Sequence, residues 1–349
     1  MIYTKHKIIY VNFNYSKEYI ILGLVDGYEI YKIDPFQLKI KKKLNKSIGI
    51  IDILENTNII IFSGNDSNQY YCNHNNIVLY DDNKNKEIIK ISCESNILNL
   101  KITPKYIIAV LIDKVVIYNH NLCVINYINT GNNIHGIISI YYDDNIMKYG
   151  LIGNDKGNII LGNDNLFSKK ILQVHKNIVN NICFNKSGDL IATTSIIGTI
   201  IRIYNVNNNK LIKELRRGSS VTRILNISFN DISNILVCSS IKGSIHVFNT
   251  GLNNELNKIE NKKIKYLSKI FNNLPINSLS SYINSEWSFT NYQNNILFLQ
   301  ILFHNNFIYA ISNNGKFYKF KINNNGQIEI INILFLMDEQ FSPFNIKNN

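Results

Sequence analysis

The sequence has few of the residues that interrupt or cross-link other architectures. Its 349 residues include only 4 prolines, 17 glycines and a single tryptophan. Such a composition excludes collagen-like and proline-rich chains. Apolar residues make up 45% of the chain and charged residues 18%, proportions typical of a folded protein and not of a disordered one.

Cysteine is scarce and irregularly spaced. The five cysteines include no CxxC pair: Cys72, Cys93, Cys123, Cys183 and Cys238. An odd number without paired spacing argues against a disulfide framework and against a zinc site. We therefore expect no metal ion and reduced, buried thiols in a cytoplasmic protein.

Long hydrophobic runs are absent as well. The N-terminal MIYTKHKIIYVNF lacks the apolar core of a signal peptide, and we expect none. The longest apolar stretches, such as residues 106–112, are far shorter than the ~18 residues that a spanning helix requires. Any membrane contact is therefore expected to be peripheral.

The charge is strongly positive, with 37 Lys and Arg against 25 Asp and Glu and a formal net charge of +12. A basic surface favours nucleic acid, acidic lipid or acidic protein as partner. The sequence contains no HExxH, GxSxG, P-loop or clustered carboxylate pair, which argues against an enzyme. It also lacks the interleaved aromatic and basic residues of RNA readers. We expect no cofactor, no small-molecule substrate and no nucleic acid.

Short β-branched runs recur along the chain and dominate its organisation. They are GYEIY (27–31), NIVLY (76–80), KVVIY (114–118), GNIIL (157–161), GTIIRIY (198–204), GSIHVF (243–248) and GKFYKF (315–320). Their last residues are 49, 38, 43, 43, 44 and 72 positions apart. A period of roughly 40–45 residues predicts an all-β fold, a single closed seven-bladed β-propeller over residues 1–349. Because no tryptophan forms a WD dipeptide, the repeats are degenerate WD40-like units, and an α-solenoid or α/β fold is disfavoured.

Two adjacent arginines, Arg216 and Arg217, end an apolar strand just before Gly218. Successive strand side chains point to opposite faces, so the two guanidinium groups are expected in two different clefts of one blade. Guanidinium is the preferred multidentate partner of phosphate, which predicts two anion sites on the rim. A simpler interpretation is that the two arginines are solvated charges on an edge strand, where they prevent pairing with other chains.

Two similar hairpins flank this strand. The upstream hairpin carries Ser195, Thr199 and Arg202, and His175 begins the unit before it. The downstream hairpin carries a similar polar set: Ser240, Lys242, Ser244 and His246. A glycine turn lets backbone N–H groups approach an anion, and hydroxyls add donors. Hydroxyl residues beside glycine are also ordinary turn chemistry.

The segment Leu215-Arg216-Arg217-Gly218 resembles the [FL]RRG hallmark of the PROPPIN family, the phosphoinositide-binding β-propellers of autophagy. Other segments that match the family are 192–218, VNFN and GYEIYKIDPF within 11–36, LIDKVVIYN (111–119) and SEWSF (285–289). The resemblance covers essentially the whole chain and is most specific in the central block.

The resemblance implies two headgroup sites. The first-site positions are His175, Ser195, Thr199, Arg202 and Arg216, and the second-site positions are Arg217, Ser240, Ser244 and His246. Three further residues are expected close to the second site: Lys242, Thr222 and Arg223. Ser244 departs from the family, which usually has threonine there, but it keeps the hydroxyl.

A segment of blade six, residues 251–284, interrupts the repeat and accounts for the long interval. Its apolar residues follow an approximately helical spacing: Leu252, Leu256, Ile259, Tyr266, Leu267, Ile270, Phe271 and Leu274. Five lysines against two glutamates make it basic, so we interpret it as an amphipathic, membrane-facing insertion. A disordered surface loop is the alternative; the resemblance implies a membrane-inserting loop.

Together these features predict a peripheral membrane effector or scaffold of the autophagy-related machinery. It is expected to bind phosphatidylinositol 3-phosphate, the 3,5-bisphosphate or both, together with autophagy-related proteins. The expected location is the cytoplasm, with reversible recruitment to autophagosomal, endosomal, vacuolar or apicoplast-associated membranes. A protein-interaction propeller without lipid affinity is the alternative. The basic run KIKKK (39–43) is expected to be a solvated loop.

Overall fold

The computed structural model describes residues 8–65, 72–165, 168–251, 286–323 and 325–337. Those ranges form 29 β-strands arranged in seven sheets. No helix occurs within them, and so none that could cross a membrane. Each sheet is one blade of a propeller, made of strands that are consecutive or nearly consecutive in the chain.

The first four blades are regular four-stranded antiparallel sheets. Blade one contains β1 (Ile8–Phe13), β2 (Tyr19–Leu24), β3 (Gly27–Lys32) and β4 (Gln37–Lys43). Blade two contains β5 (Ile48–Ile53), β6 (Ile59–Gly64), β7 (Asn76–Asp81) and β8 (Lys86–Ser92). Blade three contains β9 (Asn99–Ile102), β10 (Ile107–Val110), β11 (Lys114–Tyr118) and β12 (Val124–Asn129). Blade four contains β13 (Ile138–Asp143), β14 (Ile146–Ile152), β15 (Asn158–Asn163) and β16 (Lys169–Gln173).

The last three blades include one exception to that plan. Blade five contains β17 (Val179–Phe184), β18 (Leu190–Ser195), β19 (Ile200–Asn205) and β20 (Leu211–Arg216), with β24 (Glu286–Trp287) added in parallel to β20. Blade six contains β21 (Ile224–Phe229), β22 (Ile235–Ser240), β23 (Ser244–Asn249) and β25 (Thr290–Gln293). Blade seven contains β26 (Phe298–His304), β27 (Phe307–Ser312), β28 (Lys316–Ile322) and β29 (Ile328–Phe335).

The predicted repeat is confirmed, because each of the seven runs falls on the third strand of a different blade. These strands are β3, β7, β11, β15, β19, β23 and β28. Third strands are hydrogen-bonded on both sides and mostly buried, which explains why their sequences are the most regular. The expectation of a solvated loop at 39–43 was wrong. Those residues belong to β4, where Lys41 pairs with Glu29 at 3.0 Å.

Apolar side chains fill the space between neighbouring blades. Seven buried clusters occur, one at each interface between adjacent blades. The cluster between blades seven and one includes Phe13, Tyr31, Tyr309 and Phe317 and closes the ring by side-chain packing. Removing this apolar surface from water is the main force holding the blades together.

The cysteines follow the prediction only in part. All five are free thiols, but Cys123 is exposed, so burial does not hold for every one. Within the described ranges no group of three or more His, Cys, Asp or Glu residues is arranged to hold a metal ion.

Candidate functional site

The two hairpins flanking the arginine pair require glycine at their turns. Gly198 and Gly243 have φ angles of 62° and 74°, in the left-handed region. A Cβ at Gly198 would lie 1.8 Å from the Thr222 carbonyl oxygen. Their N–H groups, however, donate to the Ser195 and Ser240 carbonyls at 2.9 and 3.0 Å. The N–H groups of the two glycines are therefore used within the turns and are not available to an anion.

Strand register decides which side of blade five each arginine faces. Arg216 is paired with Ile200, and Arg202 with Glu214, so Arg216 and Arg202 share one face. Leu215 lies on the other face, in the cluster between blades five and six. The Arg216 face is directed toward blade four, where it forms the first cleft. Arg217, one residue on, turns to blade six and the second cleft.

The first cleft brings His175 and Arg202 together. Arg202 Nη1 donates to the Val174 carbonyl at 2.8 Å and lies 3.4 Å from His175 Nδ1. His175 Nε2 is 3.1 Å from Thr193 Oγ1. Burial, reinforced by the positive charge of Arg202, lowers the pKa of His175 to about 4. The imidazole is therefore neutral at pH 7, with one nitrogen accepting and the other donating.

A carboxylate also lies in the first cleft. Glu214 Oε2 accepts from Arg202 Nε at 2.9 Å, and both side chains are mostly buried. The sequence reasoning missed this ion pair, although Glu214 stands two residues before Arg216 and so on the same face. Thr193, two residues before Ser195, was missed in the same way.

The remaining first-site residues are Ser195, Thr199 and Arg216. Ser195 ends β18 and is buried on the face that carries Thr193. Thr199 follows the turn glycine, and its carbonyl accepts from the Arg217 N–H at 2.9 Å. Arg216 is buried at the end of β20. Four of the five predicted first-site residues, all but Thr199, thus lie on the side of blade five that faces blade four. Thr199 stands opposite Arg217, at the strand end between the two clefts.

The second cleft is built around Arg217. Its Nε donates to the Gly198 carbonyl at 2.8 Å, and its Nη2 donates to the Ser220 carbonyl. The side chain is only 7% exposed, and this burial lowers the pKa of the guanidinium. Both acceptors are neutral oxygens, so the positive charge of Arg217 is held in a largely buried place.

A chain of hydroxyl and imidazole groups faces Arg217 from blade six. Ser240 Oγ lies 2.7 Å from Ser244 Oγ, which lies 3.0 Å from His246 Nε2. His246 Nδ1 in turn lies 3.2 Å from Ser288 Oγ. Burial, together with the charge of Arg217, lowers the pKa of His246 to about 4. The cation of Arg217 therefore faces a row of uncharged side chains that are hydrogen-bonded to one another.

The three further residues expected close to the second site occupy different positions. Lys242 lies at the mouth, with Nζ 3.4 Å from Ser220 Oγ. Thr222 is buried beneath the turn, where its Oγ1 donates to the Val221 carbonyl. Arg223 points elsewhere, because its Nε donates to Asn180 Oδ1 on the innermost strand of blade five at 3.1 Å.

Ser288 was also missed, although it lies within the SEWSF segment. This segment returns the chain from the insertion: β24 adds to blade five, with Trp287 opposite Arg216, and Phe289 N then donates to the Val247 carbonyl of blade six. The predicted apolar stripe, from Leu252 to Leu274, lies outside the described residues.

Known proteins share this architecture and sequence. A structure of Hsv2 from Kluyveromyces lactis superposes with a TM-score of 0.75 at 20% identity, covering 95% of this chain and 99% of that one. A complex of KlAtg21 with the coiled-coil of AgAtg16 gives a TM-score of 0.70 at 19% identity, covering 95% of this chain and all of that one. These likenesses concern the fold.

Sequence comparison finds relatives with higher identity. SVP1-like protein 2 of Neurospora crassa is 29% identical over 245 residues, 69% of this chain but only 56% of that protein. Autophagy-related protein 21 of Schizosaccharomyces pombe is 28% identical over 243 residues, 69% of this chain and 70% of the relative. The PROPPIN family model matches residues 12–297, a region that contains both clefts and the SEWSF segment. The chain belongs to the PROPPIN family.

Proposed function

We propose that the protein binds phosphoinositide headgroups in membranes through the two clefts of blade five and acts as a peripheral effector in autophagy-related processes. The observation that carries the proposal is the pair Arg216 and Arg217, which one strand directs to opposite faces. Arg216 is buried on the face that carries Thr193 and Arg202. Arg217 is buried close enough to His246 for its charge to lower the pKa of that imidazole. Family membership makes the protein a scaffold and not an enzyme.

Each cleft offers the donors that a phosphomonoester needs. Guanidinium groups supply charge-assisted hydrogen bonds, while the serine and threonine hydroxyls can reorient to donate. A bound dianionic phosphate would favour protonation of His175 or His246, adding a further charged donor. Phosphatidylinositol 3-phosphate and the 3,5-bisphosphate both offer this chemistry.

Two sites on one rigid rim reinforce each other. After one headgroup binds, the second encounter takes place within the same membrane plane, so overall affinity exceeds that of either cleft. The propeller is then held edge-on, with blades five and six against the lipid. We further propose that residues 251–284 face the membrane, where basic residues contribute about 1 kcal/mol each near an anionic surface.

The edge-on arrangement leaves the other blades available to proteins. A relative, KlAtg21, forms a complex with the coiled-coil of AgAtg16. We include a coiled-coil protein of the autophagy machinery among the partners of this chain. Recruitment would be reversible, from the cytoplasm to autophagosomal, endosomal, vacuolar or apicoplast-associated membranes.

Liposome co-flotation at physiological salt tests the proposal. Vesicles of phosphatidylcholine with and without phosphatidylinositol 3-phosphate are compared for the wild type and Arg216→Ala/Arg217→Ala. Lys86→Ala/Lys90→Ala removes the same charge from exposed positions of β8 and serves as the matched control. We expect the wild type and the control to float only with the phosphoinositide, and the arginine variant to remain soluble.

Two results would contradict the proposal. Equal flotation of the arginine variant and the wild type would show that the clefts do not read the headgroup. Absence of flotation for every variant on both the 3-phosphate and the 3,5-bisphosphate would favour the alternative, a propeller scaffold without lipid affinity.

A further inference from the structure

Trp287 is the only tryptophan of the chain and lies beside Arg216 of the first cleft, at the outer edge of blade five. Strand β24, which carries it, adds to the outer edge of β20 and pairs Trp287 with Arg216. Adjacent strands lie about 4.8 Å apart, so the Trp287 backbone directly borders the strand end that divides the clefts. The next residue, Ser288, bonds His246 in the second cleft.

The segment around Trp287 is fixed at several points. Glu286 pairs with Lys213 of β20 at 2.5 Å, which ties the residue before Trp287 to blade five. Ser288 Oγ lies 3.2 Å from His246 Nδ1, and Phe289 N donates to the Val247 carbonyl at 3.0 Å, which ties the following residues to blade six. The backbone that carries the indole is therefore held in place by contacts to both blade five and blade six.

Trp287 remains 39% exposed despite its size. Indole combines a large apolar surface with one N–H donor, and tryptophan accordingly concentrates at membrane–water interfaces. If both clefts hold headgroups, the two phosphates define the membrane surface along the rim of blade five. Trp287 borders the first of them, because it is paired with Arg216.

From this placement we propose that Trp287 is an interfacial membrane anchor at the edge of the first cleft, whose indole enters the headgroup and upper acyl region when the protein binds a lipid surface. The proposal rests on the proposed function, since it requires the rim of blade five to face the membrane. It assigns Trp287 affinity for the bilayer and no role in recognising the phosphates.

The single tryptophan provides its own reporter. Its emission is recorded on the full chain with phosphatidylcholine vesicles containing phosphatidylinositol 3-phosphate, and flotation is measured on the same samples. We expect a blue shift and quenching by brominated lipids. Bromines near the glycerol end of the acyl chain should quench more strongly than bromines near the methyl end.

Substitution provides the second readout. We expect Trp287→Ala to weaken vesicle binding roughly tenfold and Trp287→Phe to weaken it less, because the aromatic ring retains part of the apolar area. Tyr127→Ala, which removes a 66% exposed aromatic from β12 of blade three, should leave vesicle binding unchanged. Binding of soluble inositol 1,3-bisphosphate should be the same for the wild type and Trp287→Ala.

The outcomes separate the two proposals. Flotation without a blue shift or quenching overturns the anchor and leaves the headgroup clefts intact. Equal loss of vesicle and soluble-headgroup binding in Trp287→Ala also overturns it, because Trp287 would then only support the clefts. Failure of the wild type to float overturns the proposed function, and the anchor with it.

Discussion

The two clefts of blade five contain the same kinds of side chains but differ in how their arginines are compensated. In the first cleft, Arg202 is paired with the Glu214 carboxylate at 2.9 Å. In the second cleft, Arg217 donates to the carbonyls of Gly198 and Ser220, which carry no net charge. An anion entering the first cleft must compete with a carboxylate, whereas an anion entering the second meets a cation bound only to neutral oxygens.

The difference shows that similar sequence patterns need not give equal electrostatics. The hairpins 192–204 and 237–248 have the same turn glycine and corresponding hydroxyls. What separates them is a side chain contributed by a neighbouring strand. We infer that the second cleft supplies more of the binding free energy, while the first is tuned by Glu214.

The largest expected effect is on the pH dependence of stability. It tests a feature that both clefts share, a buried neutral histidine. The ordinary pKa of histidine is about 6.5, and in the folded protein the pKa values of His175 and His246 are lowered to about 4. The unfolded chain therefore binds more protons below pH 6.5, so the stability contribution is full above that pH and is lost as pH falls toward 4. Each histidine should contribute about 2–4 kcal/mol.

Urea unfolding at pH 7 and pH 5 measures about half of this loss, because the folded-state pKa values of about 4 lie below pH 5. His175→Asn and His246→Asn should each reduce the difference between the two pH values, whatever they do to stability at pH 7. If only one substitution reduces the pH dependence of the unfolding free energy, the two histidines are not equally shielded from water.

Arginine substitutions come next. We expect Arg217→Ala to lower affinity for phosphatidylinositol 3-phosphate vesicles about 10- to 100-fold, the range of charge-assisted hydrogen bonds. Removing the whole pair of the first cleft, in Arg202→Ala/Glu214→Gln, should cost clearly less, because Glu214 already neutralises Arg202 in the wild type. The measurement is vesicle binding isotherms at one salt concentration. Equal losses for the two variants would remove the distinction between the clefts.

The smallest expected effect comes from neutralising the carboxylate. Glu214→Gln should raise vesicle affinity about fivefold, in line with the modest value of a partly exposed ion pair. In an Arg202→Ala background the same substitution should raise affinity by more, because the carboxylate is then unneutralised in the cleft. Glu87→Gln, which disrupts the Lys46 pair in blade two, is the matched control for net charge. A gain of the same size from Glu87→Gln would show that overall charge, and not the cleft, is responsible.

Sequence patterns were most informative where the physics is local and repeated. The third strand of each blade alternates around a fixed turn, so its recurrence alone predicted seven blades. Alternation along β20 likewise predicted that Arg216 and Arg217 would diverge. The outer strand β4 was misread as a loop because its lysines are paired with carboxylates on neighbouring strands, which no local pattern reveals.

Contacts between distant segments were not predictable in this way. Ser288 reaches His246 across 42 positions of chain, and Trp287 joins a strand of another blade. Turn amides that looked available to an anion are consumed by their own hairpins. The Ser288 and Trp287 contacts depend on where the chain returns between β23 and β25, whereas the turn amides are bonded locally.

By itself, the sequence determined the blade count, the family and the divergence of the two arginines, because strand periodicity and side-chain alternation act between near neighbours. Only the tertiary structure decided which cation meets a carboxylate, which hydroxyls line up with His246, and that the sole tryptophan is paired with Arg216. The Arg202–Glu214 pair depends on strand register within blade five. The contacts of Ser288 and Trp287 depend on how blades five and six pack where the chain returns to them, between residues far apart in the chain.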